Sequence, residues 1–136
     1  MALAPVDAVN LTVEAVGPQI DYYLHGGITA VQAVLPAMTA RRSGVIVVTT
    51  GASSGPVIHP PLGSVGAATA ALRNWTLQLH AALEPHGVYA AHVAIAAYIG
   101  KGGPQSQPDA IAEAYRELVT SRTQAELVYR DETLKL

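Results

Sequence analysis

The fold is decided by Gly44–Ile95, GVIVVTTGASSGPVIHPPLGSVGAATAALRNWTLQLHAALEPHGVYAAHVAI. Within it, Val45–Thr50 (VIVVTT) is a continuous run dominated by β-branched residues and bounded by glycines. It is too short for a helix and lacks polar alternation, so it reads as a central parallel strand buried on both faces. Gly51–Leu62 (GASSGPVIHPPL) follows at the strand's C-terminal end, with three prolines among glycines and serines. Such an irregular loop is where chemistry usually sits. Gly63–Glu84 is rich in Ala and Leu, and Ala68, Leu72, Trp75, Leu79 and Ala82 share one helical stripe. Pro85-His86-Gly87 ends that helix, and Val88–Ile95 (VYAAHVAI) supplies a second apolar run of strand length. A strand, helix, strand unit crosses over right-handedly and makes its strands parallel, so the fold class is α/β.

Outward from this unit, Gly26–Arg42 places Ile28, Val31, Val34, Leu35 and Met38 on one helical face. Pro36 should bend this helix, Arg41 and Arg42 suit its negative end, and Ser43-Gly44 stops it. Pro5–Val13 (PVDAVNLTV) reads either as a strand or as a loop followed by a turn at Gly17-Pro18. Downstream, the polar stretch Lys101–Pro108 leads to a helix over Pro108–Ser121 carrying Ile111, Ala114, Tyr115 and Leu118, and Ala125–Tyr129 fits a last short strand. A sheet of two to four strands is expected, and one that small leaves edges to be covered by self-association.

Composition narrows the function classes. With 136 residues and a net charge of -2, the chain makes one domain. Half of its residues are hydrophobic and 13% are charged, far from the balance that keeps a chain disordered. It has no Phe, one Trp and no Cys, so aliphatic residues and alanine must build the core, and a disulfide framework or thiolate metal site is excluded. No metal site is assigned to the five scattered histidines. A pI near 6.2, with no basic run longer than Arg41-Arg42, argues against nucleic acid as a partner. No apolar stretch reaches the roughly 18 to 20 residues of a membrane span, and the first residues lack a basic n-region. A cytoplasmic location is therefore expected.

The segments GVIVVTTGASS and HPPLGSVGAATAALRNWTLQLHAALEPHGVYAAHVAI together resemble the C-terminal half of a short-chain dehydrogenase/reductase. Upstream, DYYLHGGITAVQAVLPAM is similar to the family's helix ending in VLPxM, and PDAIAEAYRELVTSRTQAEL is similar to the end of one subgroup. The resemblance implies a partial Rossmann-like three-layer fold, with a small parallel sheet and flanking helices. Residues 1–136 would form a single truncated domain, with 1–20 an unassigned N-terminal segment and 21–130 the family-like region. It also implies degeneration: Val65 stands where the family has its tyrosine, Thr69 its lysine, Gly51 its serine and Tyr23 its asparagine. Hydride transfer to a carbonyl needs a proton donor at the oxygen, and a valine has no proton to give. Nor does a glycine-rich turn open a first helix to hold pyrophosphate. No cofactor is therefore expected, NAD or NADP binding only if another chain supplies the missing half. The family's subunit interface implies a homo-oligomer through helices 26–42 and 63–84.

Three residues are candidates for a site. Ser53, beside Ser54 in the strand-end loop, suits a carbonyl-orienting hydroxyl, and equally a turn. His59, between Ile58 and two prolines, suits a general acid or base, and equally a plain loop position. Tyr23, with Tyr22 and His25, suits a pocket wall, and equally capping and packing. The expected function is an oligomeric subunit, a binding module for a small-molecule ligand, or a repurposed enzyme using Ser53, His59 and Tyr23. The alternative is an NAD(P)-dependent oxidoreductase, or a lyase, isomerase or cyclase, whose site another chain completes.

Overall fold

A computed structural model describes residues 3–135. The strand-helix-strand unit is present: β1 (Gly44–Gly51), then α3 (Gly63–Leu83), then β2 (Val88–Ala96). It is preceded by α1 (Val13–Ile20) and α2 (Gly26–Arg41), and followed by α4 (Pro108–Ser121) and β3 (Glu126–Arg130). All strand pairs are parallel, in the order β1-β2-β3. Among the described residues β2, not β1, is therefore the central strand. Two successive crossovers, through α3 and α4, each add a strand on the same side. Every residue of β2 except Ile95 is buried, whereas Val45, Val47 and Val48 of β1 are only half-buried.

Strand alternation sorts the core into two layers. On one face Ile46, Val88 and Ala90 pack with Val31 of α2 and Leu83 of α3, joined by Trp75 and Leu79. On the other, Tyr89, Ala91 and Val93 pack with Leu118 and Tyr115 of α4 and Leu127 of β3. Two helices, a sheet and a third helix make the three layers. The α3 stripe is as expected, except that Leu83 rather than Ala82 is buried at its C-terminal end. Pro36 lies inside α2, which ends on Arg42 in the left-handed conformation with its amide donating to Met38 and Thr39 carbonyls.

The N-terminal region is a loop up to Thr12, and it departs from the strand reading and from the turn expected at Gly17-Pro18. Pro5–Val13 joins no sheet, because the Asp7 carboxylate accepts the Val9 and Asn10 amides and curls the chain into an Asx turn. Gly17 and Pro18 do not turn the chain: they lie inside α1, which Thr12 caps by accepting the Ala15 amide. A widened turn over Asp21–His25 then joins α1 to α2, with the Gly26 amide donating to the Asp21 carbonyl five residues back. One helical run thus extends from Val13 to Arg41, and Gly26 does not begin it. Ahead of it, the Ser64 amide donates to the Val6 carbonyl at 2.9 Å and the Ala8 amide to Pro60 at 3.0 Å, strapping the N-terminal segment against the start of α3.

Gly63 permits that contact, since a Cβ there would lie 2.5 Å from the Ala8 nitrogen and 2.6 Å from its Cα. Gly63→Ala must displace backbone rather than a side-chain tip. We expect it to lower stability by about 1–3 kcal/mol, the usual cost of overpacking, read as a shifted urea midpoint with faster proteolysis ahead of α1.

Candidate functional site

His92 lies in the middle of β2 with no solvent exposure. Burying an imidazole is costly unless both ring nitrogens are hydrogen-bonded. Nδ1 is 2.9 Å from Glu126 Oε2 on β3, and Nε2 is 2.8 Å from Thr50 Oγ1 on β1. Glu126 is in turn gripped through both oxygens by Arg73 of α3, at 2.5 and 2.8 Å. Thr50 Oγ1 is also 2.9 Å from the buried Ser54 Oγ.

The proton order follows from the donor inventory. An ionised Glu126 only accepts, so Nδ1 carries the proton and Nε2 is left as an acceptor facing the Thr50 hydroxyl, whose oxygen also contacts Ser54 Oγ. Arg73 above all, and His92 after it, hold the Glu126 carboxyl below its ordinary range. The His92 ring is itself pushed down, because desolvation of the imidazolium outweighs the attraction of Glu126. A hydroxyl, a base and a carboxylate in series have the connectivity of a nucleophilic relay. Here Thr50 and Ser54 are buried under the turn that follows β1, so the relay acts by holding that turn: its two hydroxyls bracket Gly51, Ala52 and Ser53.

Above the turn, at the C-terminal ends of β1 and β2, a cleft of about 270 Å³ opens. This is the end of a parallel sheet at which ligands bind. Ser53 and His59 line the cleft together with Val57, Leu62, Ile95 and Tyr98, and Leu134 of the C-terminal tail closes one side. A second buried acid sets that side. Asp131 accepts from the Ser106 hydroxyl, the Gly103 amide, and the Thr133 amide and hydroxyl. These bonds, that of Ser106 foremost, lower its carboxyl to about 2. The loop after Tyr98 and the tail carrying Leu134 are thereby tied to one carboxylate.

Of the expected site residues, Ser53 and His59 come together in the cleft, and Tyr23 does not line it. Tyr23 sits in the widened turn before α2, edge-on to Tyr22 at 5.0 Å, while His25 pairs with Asp21 at 2.8 Å on the surface. On α3, Val65 is half-buried, and the buried Thr69 hydroxyl donates to the Val65 carbonyl at 2.7 Å. The sequence reading passed over His92, Glu126, Arg73 and Asp131. One signal was available for His92: a lone imidazole in an otherwise apolar strand must have partners. Among the described residues no cluster of His, Asp and Glu could hold a metal, and no helix is long and apolar enough to cross a membrane.

No protein-family model matches the sequence, and no curated protein matches it either. Solved structures do. The chain superposes on an acetoin dehydrogenase from Enterobacter cloacae with 16% identity and a TM-score of 0.76, all of this chain covering 64% of that one. A 4-hydroxyisoleucine dehydrogenase complexed with NADH and succinate shows 14% identity and a TM-score of 0.75, over 92% of this chain and 62% of that one. A short-chain dehydrogenase from Streptomyces avermitilis shows 21% identity and a TM-score of 0.72, over 92% and 57%. The chain has the α/β fold of short-chain dehydrogenase/reductases and spans less than two thirds of the length of these structures.

Two pH effects follow. Because the folded His92 resists protonation, its contribution is complete above the unfolded imidazole value near 6.5 and is lost as pH falls below it. His92→Gln should cost about 1–3 kcal/mol at neutral pH, and that difference should shrink in urea titrations repeated at progressively lower pH below 6.5. The Asp131 contribution is complete above the ordinary carboxyl value of 3.8 and disappears as pH falls toward about 2. Asp131→Asn should therefore destabilise the protein at neutral pH and converge with the parent over that acid window.

Proposed function

We propose that this chain is a cytoplasmic, homo-oligomeric subunit that binds a small molecule in the strand-end cleft, without the hydride chemistry of the short-chain dehydrogenase/reductases. The observation that carries this reading is the pair Val65 and Thr69 on α3. One side chain has no proton to give, and the hydroxyl of the other is spent on its own helix. General acid catalysis at a carbonyl needs a donor with both a proton and a suitable pKa. What the cleft offers instead is a hydroxyl and an imidazole, Ser53 and His59, which suit holding a ligand and leave room for repurposed acid-base chemistry.

The helices support the oligomer. From Gly26 to Ala40, α2 contains no ionisable residue. On α3, Arg73 is engaged by Glu126 and the His80 ring lies 2.7 Å from the Ala90 carbonyl. Exposed positions include Ala30, Ala33 and Ala37 on α2 and Ala67, Ala70 and Ala71 on α3. Small uncharged residues let helices approach closely and cover one another. A second reading is an NAD(P)-dependent oxidoreductase completed by another chain. It is favoured by the length of the matched structures beyond this chain and by the NADH in one of them.

Thermal denaturation with millimolar NADH or NADPH separates the two, since a ligand bound only to the folded state raises its stability by mass action. We expect no shift; saturable micromolar binding would establish the oxidoreductase reading instead. In sedimentation experiments the chain should run as an oligomer, and Ala70→Glu should drive it toward monomer while leaving the circular dichroism spectrum unchanged.

A further inference from the structure

We propose a second ligand site, at the N-terminal end of β2 and away from the strand-end cleft, which takes a small zwitterion carrying one ammonium and one carboxylate group. A cavity of about 320 Å³ opens there and shares no lining residue with the cleft. Val88 and Tyr89, both buried, line it from the sheet. One side comes from the C-terminal end of α3 and the turn after it, through His80 and Glu84. The other comes from the segment between α4 and β3, through Arg122 and Thr123. A volume near the lower end of the usual range of about 300–1,000 Å³ for ligand pockets suits a ligand of amino-acid size.

The two sides carry opposite chemistry. His80 and Glu84 are four residues apart along one helical run, which puts them on a common face. The His80 Nδ1 lies 2.7 Å from the Ala90 carbonyl, which only accepts, so Nδ1 carries the proton and Nε2 is left as an acceptor. Glu84 is exposed and adds a carboxylate, so this side accepts. Across the cavity, Arg122 spends its Nε on the Val119 carbonyl at 3.0 Å and keeps its terminal amino groups for other partners. With the Thr123 hydroxyl beside it, that side donates. Glu84 and Arg122 nevertheless do not pair: the ion pairs among the described residues include neither. Two opposite charges that line one cavity without meeting leave room for a ligand that meets both. Its ammonium donates to Glu84 and His80 Nε2, and its carboxylate accepts from Arg122 and Thr123.

The placement of Arg122 is a second, separate observation. It ends α4 in the left-handed conformation, at φ 53, where glycine is the usual residue because a Cβ is disfavoured. Its charge also reaches the sheet side of the cavity: burial pushes the Tyr89 hydroxyl up, and the Arg122 guanidinium pulls it the other way. An arginine kept at a glycine position beside a buried phenol fits recognition of an anionic group.

Calorimetric titration of the full chain with norleucine, hexanoate and pentylammonium tests this, because the three have similar aliphatic bodies and only norleucine carries both charges. Norleucine should bind saturably in the millimolar range or tighter. Each singly charged probe should bind at least about tenfold more weakly, as expected for losing a charge-assisted hydrogen bond. Glu84→Gln and Arg122→Gln, both at exposed positions, should each reduce norleucine affinity to roughly that of the probe lacking the matching charge, with an unchanged circular dichroism spectrum. Hexanoate binding as well as norleucine would make this a plain anion site, and pentylammonium doing so a plain cation site; either result overturns the proposal. Norleucine binding indifferent to both substitutions would put the ligand elsewhere on the molecule. Absence of saturable heat with norleucine would remove the site altogether.

Discussion

An imidazole sealed inside a parallel sheet has to satisfy both of its nitrogens from neighbouring strands, and His92 organises this molecule around that requirement. Its partners are Thr50 on β1 and Glu126 on β3, and Glu126 in turn engages Arg73 on α3. Four elements therefore meet in one polar chain at the centre of an otherwise aliphatic core. A fully satisfied network of this kind specifies register, because a slip of one residue on either flanking strand would turn its partner side chain to the opposite face. It also gives the short strand β3 a reason to stay. Five residues of edge strand hold few ladder bonds, and the carboxylate of Glu126 adds an ionic anchor beside the first of them.

The same chain of hydrogen bonds reaches the surface indirectly. Thr50 and Ser54 clasp the turn that carries Ser53, so the position of an accessible hydroxyl follows from a buried one. On the opposite side Asp131 performs the corresponding task for the loop after β2 and for the tail. Gly102 approaches this acid so closely that a Cβ would lie 2.8 Å from Asp131 Oδ2 and nearer still to Ser106. The two walls of the cleft are thus each fixed by a buried polar group. The lining itself is mostly apolar, with Ser53, His59 and Tyr98 as its polar side chains.

The outer surface of α2 and α3 completes the picture from the other direction. Solvated helices ordinarily carry charges on their free face, and this pair carries almost none. The alanines that line it contribute little contact area singly, yet they permit close approach over a long stretch.

The strand, helix, strand core was legible because local patterns report it directly: a β-branched run, an Ala-Leu helix with a 3.6-residue stripe, a second apolar run. The strand-end loop was legible for the same reason, and the structure brings its Ser53 and His59 into one cleft. Tyr23 was misplaced because the widened turn at Asp21–His25 merges two helices, and nothing in DYYLH announces an extra residue in the helical repeat. The central position of β2 was missed because VIVVTT and VYAAHVAI look alike as apolar runs; strand order comes from crossovers. What the sequence by itself determined is the class of fold, since that is a property of local runs and short spacings. Only the tertiary structure decided that Thr50, Arg73, His92 and Glu126 form one network. Their separations of 34 to 53 residues along the chain are closed by strand pairing and helix packing, and hydrogen bonds form between atoms that meet in space whatever their distance in sequence.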